Sequence, residues 1–482
     1  MKFLLSTLLL IAGINGINAQ GYQAVHGSSY IGSLNALHNP ASIVNVPSKW
    51  ELAIFGVQGK AATNIVRVEN FSIFSPASNS EYQFLSGDYK RKANAQANIN
   101  LLNGRVAIGK NSAFSFGANI RTYNNLKTSG YNFIDTLDNI GQFIDMNTER
   151  QPFSLNTVSS GWLELFAGYG RTVYEDAGFR LNAGANLKLM RGVFGNNASL
   201  INASVTPVSN TNPTQYDVRT GAIVHGYSYN FDQWNKNNSN ATNIRNFYRY
   251  SLGGFAFDLG AELLFKSQAI GSVNDEDSYY DYDLKLGVAI VDIGFNQFKY
   301  GKNSVQTSGI RAGTTNVVIN QKMAAVDDRA QFNDSLATLV TTMSTLKGFS
   351  YKIYNPTRIN LNADYFINGA WYINADLTVN VAKFIAGKNL YVKDLSLFSI
   401  TPRWETNRFG AYLPLHVTQE GNFWVGAAGK IGPLVIGLHN LGYIFSQKSI
   451  QNGGFYMALI IKSGGNSENR GDRRLNCPPR KQ

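Results

Sequence analysis

The sequence predicts an all-β fold, a transmembrane antiparallel β-barrel of about fourteen strands with an N-terminal plug segment and long extracellular loops containing short helices. Three observations carry that prediction. The chain opens with a secretion signal, segments of alternating apolar and polar residues recur from residue 50 to residue 462, and the connections between them alternate between long and short. The alternation is clearest at 370–382, where Trp371, Ile373, Ala375, Leu377, Val379 and Val381 are apolar and Tyr372, Asn374, Asp376, Thr378 and Asn380 are mostly polar. Successive strand side chains point to opposite faces, so this segment has one oily face and one wet face.

The signal comprises Lys2, the apolar run Phe3 to Ala12 and small or polar residues to Ile17-Asn18-Ala19. That order matches a secretory signal peptide. Cleavage is expected after Ala19, so 1–19 is leader and 20–49 precedes the first strand as the plug segment. The apolar run is shorter than the ~20 residues a spanning helix needs. No later run of ~18 apolar residues exists, so any crossing must use strands. The barrel is assigned to 50–462.

The first strand is expected from Trp50 to Val68 and the second from Ala93 to Gly109, with Asn94, Gln96, Asn98 and Asn100 alternating against Ala95, Ala97, Ile99 and Leu101. After Lys110-Asn111-Ser112 comes the third, with Phe114, Phe116, Ala118 and Ile120 on one face and Ser115, Asn119 and Arg121 on the other. The fourth and fifth lie near 161–174 and 179–191, and the fifth sets Arg180, Asn182, Asn186 and Lys188 against leucines and alanines. The sixth, 252–265, carries Asp258 and Glu262 opposite Phe255, Phe257 and Leu259. The seventh, 282–298, slips in phase at Val291-Asp292, which reads as a bulge. The eighth, 357–367, places Arg358 and Asp364 on its polar face, and the ninth places Asp376 there. Shorter segments at 395–405, 409–418, 423–431, 434–445 and 455–462 complete the set.

Loop lengths test this arrangement. With both termini periplasmic, the external connections are 69–92, 125–160, 192–250 and 299–356, all long, while turns such as Glu175 to Gly178 and Gly432-Pro433 are tight. Outer-membrane barrels divide their loops in this way. The exception is 266–281, with Asp275-Glu276-Asp277, Asp281 and Asp283 at or beside it. It lacks the ligand spacing and turning Gly of an EF-hand and reads as a solvated acidic loop. Apolar spacing predicts an amphipathic helix within 326–346, folded over the barrel mouth, and a weaker one at 134–144 with Asp135 as N-cap. Segments 198–208 and 218–229 are expected to extend neighbouring strands beyond the membrane.

Composition fits. The chain has 46 Gly, 25 Tyr and 29 Phe, suited to a twisted closing sheet with aromatic girdles. The single Cys, Cys477, can form no internal disulfide. The formal net charge is +12, and part of the excess lies in a polar tail, 463–482, with Arg470, Arg473, Arg474, Arg480 and Lys481. An exported barrel has little access to nucleic acid, so anionic lipid or an acidic protein partner is the expected counterpart. The tail is assigned as flexible, periplasmic and available to a partner.

Just before the first strand stand Asn39-Pro40-Ala41, following Gly27-Ser28-Ser29-Tyr30. This segment resembles the N-terminal plug of the FadL-like barrels, including the PorV-like proteins of Bacteroidota. The phrases Phe257 to Glu262, Asp292-Ile293-Gly294-Phe295 and Gly429 to Gly437 resemble an uncharacterised family of Bacteroidota outer-membrane proteins. The resemblance implies an outer-membrane barrel of a Gram-negative bacterium and no established activity.

Chemistry is sparse. The five His residues are scattered, none is paired at metal-ligand spacing, and His26 and His38 read as structural hydrogen-bonding residues. Gly426 to Lys430 has the wrong spacing for a phosphate loop, and no Gly-x-Ser-x-Gly elbow is present. No catalytic residue, metal ligand or cofactor is assigned. The inward faces place Arg121, Arg180, Lys188 and Arg358 in one lumen with Asp258, Glu262, Asp364 and Asp376. Mixed signs argue against a simple ion-selective pore, and pairing among these charges is the expectation. Three roles remain: a subunit of an outer-membrane assembly, as PorV-like relatives are in type IX secretion; a FadL-like conduit for small hydrophobic molecules; and, least favoured, a phospholipase-like enzyme. Expected partners are outer-membrane lipid and proteins of such a complex, with a small hydrophobic ligand as the alternative.

Overall fold

A computed structural model of the chain describes residues 22–70, 80–137, 140–208, 211, 214–265, 282–324, 326–419, 421–442 and 449–463. Fourteen antiparallel strands close into a barrel. They are β1 (Trp50–Thr63), β2 (Gly87–Ile108), β3 (Ser112–Phe133), β4 (Phe153–Glu175) and β5 (Phe179–Val208). Next come β6 (Gly253–Phe265), β7 (Leu284–Lys299), β8 (Ser350–Tyr354 continued by Arg358–Asn368) and β9 (Trp371–Asn380). The last are β10 (Leu397–Glu405), β11 (Phe409–Tyr412 and Leu415–Thr418), β12 (Phe423–Val425 and Ala427–Ile431), β13 (Leu434–Leu438) and β14 (Asn452–Lys462). Closure is made by β1 against β14, in register from Glu51↔Lys462 to Ala62↔Asn452.

The burial pattern is that of a barrel turned towards an apolar solvent. On β9, Tyr372, Asn374, Asp376 and Thr378 are buried, while Trp371 and Ile373 are exposed. On β5, Asn186 and Lys188 are buried, whereas Leu187 and Leu189 are 59% and 61% exposed. A soluble sandwich would reverse this assignment, because water would penalise the leucines. At the end with tight turns, Trp50, Tyr174, Phe265, Tyr365, Trp371 and Phe409 form an exposed aromatic ring. Such a girdle suits a membrane–water interface.

The other end carries the long loops. Beyond the barrel, β5 continues into a sheet with Gln215–Tyr227, Val305–Ile310 and Val340–Thr345. The helix expected within 326–346 is shorter than its apolar spacing suggests. It spans Arg329–Leu339, capped by the Asp328 carboxylate, and the β-branched run from Val340 then joins the sheet. Its residues Phe332 and Leu336 pack on Val305, Ile310 and Val340, on the sheet extension. The second helix is Ile140–Met146, and Asp135 lies in a turn upstream and does not cap it.

Strand ends also differ from expectation: β2 starts at Gly87, β3 runs on to Phe133, β4 starts at Phe153 and β5 continues to Val208, all entering connections expected as loops. β1 stops at Thr63, and Val66–Glu69 pairs instead with Glu81–Phe84 as a separate hairpin. β11 is interrupted at Leu413-Pro414, where proline has no N–H for the ladder. β13 ends at Leu438, short of residue 445. The leader 1–19, the acidic segment 266–281, Cys477 and the tail beyond Ser463 lie outside the described residues.

The segment 22–49 runs inside the barrel. It is built from short turns, Gln23–Val25, Gly32–Asn35 and Pro40–Ile43, the last capped by the Asn39 side chain accepting from Ala41 N. Each turn buries its residues against the inner wall, with Tyr22, Ala24, Ile31 and Leu34 packed on Ala53, Tyr412 and Tyr456.

Candidate functional site

The lumen's chemistry begins with the phase slip on β7. Opposite Asp258 of β6 stand two residues, Val291 and Asp292, because the register moves from Ile290↔Leu259 to Ile293↔Phe257. Asp292 takes φ 62°, a conformation uncommon outside glycine. Across β7 from this bulge, β8 leaves the ladder at Asn355-Pro356-Thr357, and the Thr357 hydroxyl donates to the Asp292 carbonyl at 2.9 Å. The bulge aims the Asp292 carboxylate inward and opens the ladder beside it.

Three cations from three strands converge there. Arg121 of β3 donates to both Asp292 oxygens at 2.6 and 2.7 Å. Lys188 of β5 donates to Oδ1 at 2.6 Å and Arg358 of β8 to Oδ2 at 2.6 Å. Asp258 holds Lys188 at 2.8 Å and accepts from the Asp292 amide at 2.7 Å, and Glu164 of β4 stands 3.2 Å from Arg121. Asp394 closes the set, 3.9 Å from Arg358 and 2.9 Å from Lys60. Cations and carboxylates interleave, as buried charges must. Of the residues expected in the lumen, Arg121, Lys188, Arg358 and Asp258 belong to this network.

The other four lie elsewhere on the inner wall. Arg180 faces Glu175 at 3.3 Å and donates to Asn45 of the inner segment. Glu262 is 3.9 Å from Lys285, which donates to the Gly27 carbonyl at 2.6 Å. Asp364 is clasped by Arg403 at 2.6 and 2.8 Å and accepts from the Tyr282 hydroxyl. Asp376 meets His38 Nε2 at 2.7 Å and His26 Nδ1 at 3.4 Å, with the two imidazoles stacked at 3.6 Å. Burial, then the adjacent His38 ring, pushes the His26 imidazole down to about 4, so it is neutral at pH 7.

The inner segment is bound to the wall around its whole circumference. The Tyr22 hydroxyl donates to Asn100, Gln23 to Asp376, and the Ser28 hydroxyl to Glu405. Arg105 donates to the Ile43 and Ser48 carbonyls, Asn186 to the Ala36 carbonyl and Asn360 to the His38 carbonyl. Asn39-Pro40-Ala41 lies against two glycines. A Cβ on Gly184 would stand 2.4 Å from the Pro40 carbonyl oxygen, and one on Gly260 would stand 2.1 Å from Asn39 Oδ1. Only a wall without side chains at those points lets the segment approach so closely.

Composition and spacing did not reveal several members. Asp292 was legible as a bulge but not as the hub. Glu164 stands between Leu163 and Leu165 at inward parity, a signal that was available. Lys60 and Asp394 become partners only on closure, while Arg403 and Glu405 stand two residues apart on β10. Lys430 donates to Glu405 at 2.8 Å and the Thr406 carbonyl at 2.7 Å, so the Gly426 to Lys430 run serves an ion pair. A Ser399–His416–His439 chain also forms, at 2.6 and 3.1 Å, with all three residues at most 1% exposed. A substrate has no approach to that hydroxyl as it stands.

A family model matches residues 40–438, which include the bulge, the charge network and Pro40-Ala41 of the glycine-seated segment. The chain belongs to DUF5723, a family of unknown function. Comparison with curated proteins gives no match. Among solved structures, a FadL homologue of Pseudomonas aeruginosa is 10% identical over 92% of this chain and 98% of its own, with a TM-score of 0.43. The toluene transporter TbuX of Ralstonia pickettii is 10% identical over 92% and 98%, with a TM-score of 0.37. The deltaS2S3 mutant of the TodX monoaromatic hydrocarbon channel is 10% identical over 89% and 94%, with a TM-score of 0.41.

Proposed function

We propose that this DUF5723 chain is an outer-membrane barrel sealed by its own N-terminal segment, acting as a non-enzymatic subunit of a larger outer-membrane assembly in secretion, barrel biogenesis or surface-protein handling. Its termini are periplasmic and its long loops extracellular. The observation that carries this reading is the filled lumen. The inner segment is bonded around the wall, and beside it lies a layer of paired charges centred on Asp292. An apolar solute crossing that layer would have to separate buried ion pairs, at a cost of several kcal/mol for each charge left alone, about 3–5 by analogy with broken buried pairs.

Surface chemistry supports a partner at the loop end. Ile244, Trp234 and Tyr248 are exposed on one loop segment, and Tyr82 and Phe349 on others. Aromatic residues of this kind anchor protein interfaces. The resemblance of Asn39-Pro40-Ala41 to the PorV-like plug points towards type IX secretion as one such assembly. The basic tail, with Arg470, Arg473, Arg474, Arg480 and Lys481, offers a second contact on the opposite side.

The alternative is transport of small hydrophobic molecules. It draws on the break in the wall at Asp292 and Asn355 to Thr357, and on an apolar groove of about 290 Å³ between Phe114, Leu187 and Phe257 on the outer face. Purification of the native protein in mild detergent separates the two. Stoichiometric co-purifying proteins, weakened by deleting 463–482, support the assembly. A clean monomer carrying an apolar molecule overturns it in favour of transport.

A further inference from the structure

Asp376 differs from most of the buried lumen carboxylates in what faces it. Asp258, Asp292, Glu164, Asp364, Asp394 and Glu405 each stand within ion-pair distance of a Lys or Arg. Asp376 is 1% exposed, and among the described residues only His26 and His38 take that place. Neither His26 Nδ1 nor His38 Nε2 is aligned for a hydrogen bond, although both are buried and both face the carboxylate. Protonating both rings would set two cations face to face at 3.6 Å. A buried negative charge and the two imidazole nitrogens that face it therefore share one small volume.

We infer that His26, His38 and Asp376 form a site for a divalent transition-metal ion of the zinc type, fastening the inner segment to β9. Their ligand atoms all lie within 4.8 Å of one another. Two imidazoles and one carboxylate suit Zn²⁺, with a fourth position left for water. Donors at ~2.0–2.1 Å from a tetrahedral ion stand about 3.3 Å apart. His26 Nδ1 stands 3.4 Å from Asp376 Oδ1, which already fits, whereas His38 Nε2 stands 2.7 Å from the other oxygen, Oδ2, and must shift to share the ion.

The surroundings supply the remaining parts. Gln23 Nε2 donates to Asp376 Oδ1 at 3.0 Å and Asn362 Nδ2 to Oδ2 at 3.2 Å, so the carboxylate is oriented from outside the ligand set. Partners of that kind tune metal affinity. His26 and His38 line a cavity of about 60 Å³ that is also bordered by Lys60, Arg358, Thr378 and Asp394, with room for a bound water. Two ligands come from the inner segment and one from the wall. The ion would thus be a clasp between them, and this inference stands whether the barrel is an assembly subunit or a conduit.

The test is titration of the full-length protein, stripped with chelator in detergent, with Zn²⁺ by calorimetry and with Co²⁺ by visible absorption. One ion per chain is expected, with ligand-field bands from Co²⁺. Gln23→Ala should retain the stoichiometry with affinity lowered about tenfold. The His26→Gln/His38→Gln double variant should lose the ion. It leaves every barrel strand untouched, and circular dichroism with heat-modifiable gel mobility checks its fold. Absence of stoichiometric uptake by the wild-type protein overturns the assignment, as does undiminished uptake by the double variant. Should that variant fail to fold, the wild-type titration decides alone.

Discussion

Arg121 on β3 reaches across the lumen and grips both carboxylate oxygens of Asp292 on β7, at 2.6 and 2.7 Å. The grip is possible because the bulge turns Asp292 inward, and the same carboxylate binds Lys188 and Arg358. One anion therefore ties β3, β5 and β8 to β7. Asp292→Asn should remove the charge at nearly constant volume and leave three cations short of a counter-ion. Breaking a buried pair from one side costs about 3–5 kcal/mol. Guanidinium unfolding of the barrel in vesicles should register a loss of that size, and an unchanged midpoint would show that the network is not a structural tie.

The glycine seat gives a second prediction. Gly184→Ala with Gly260→Ala places methyl groups against Pro40 O and Asn39 Oδ1, at 2.4 and 2.1 Å in the unrelaxed structure. Overpacking costs about 1–3 kcal/mol, and here it falls on the short inner segment, which is easier to displace than the wall. Amide exchange across 33–46 should accelerate about tenfold or more, since 1.4 kcal/mol is a factor of ten. Planar-bilayer conductance should rise above that of the wild-type protein. Unaltered exchange would mean that the segment is held without this seat.

Legibility in the sequence followed the range of the interactions. Alternation depends on near neighbours, so all fourteen strands could be placed from the chain alone, and the slip at Val291-Asp292 betrayed the bulge. The network did not announce itself, because Asp292 meets Arg121, and Lys60 meets Asp394, only when the barrel closes, although Glu164 meets Arg121 on the neighbouring strand. His26 and His38 are far apart in helical or hairpin terms and become neighbours through the turns of 22–49. The helix near 329 was overextended for a different reason. Val340, Met343 and Leu346 continue a spacing of three or four, yet the β-branched run from Val340 found a strand partner in Val305–Ile310.

The outward face is open to a direct test. Leu187 is 59% exposed on β5, paired with Phe257 of β6 and flanked by buried Asn186 and Lys188. Arginine on the lipid face of a barrel at mid-membrane costs about 2–4 kcal/mol. Leu187→Arg should therefore lower vesicle-embedded stability by that amount, whereas an exposed leucine in water would tolerate the change. A neutral result in vesicles, with the protein still folded, would remove the membrane placement of this face.

The loop end should respond to acid. His225 lies on Gln215–Tyr227, its ring beside Tyr227 and Phe332, with centroids 5.9 and 6.4 Å away. Burial, then Arg329, pushes its imidazole down to about 4, against about 6.5 in an open chain. Above pH 6.5 neither the packed nor the opened form carries the proton, so the packed form loses nothing. As pH falls from 6.5 towards 4, the opened form takes up a proton that the packed form resists, and packing weakens until both are charged. Arg329 lies over the Tyr227 ring at 4.3 Å, so a protonated His225 also meets a like charge. Limited proteolysis at 326–346 should be faster at pH 4.5 than at pH 7.5, while the barrel strands stay protected. His225→Phe removes the titrating group and keeps the aromatic contact with Phe332, so it should flatten the response over that window. An equal acid response in the variant would assign the sensitivity to the carboxylates nearby, such as Asp232, which accepts from the Tyr227 hydroxyl at 2.8 Å.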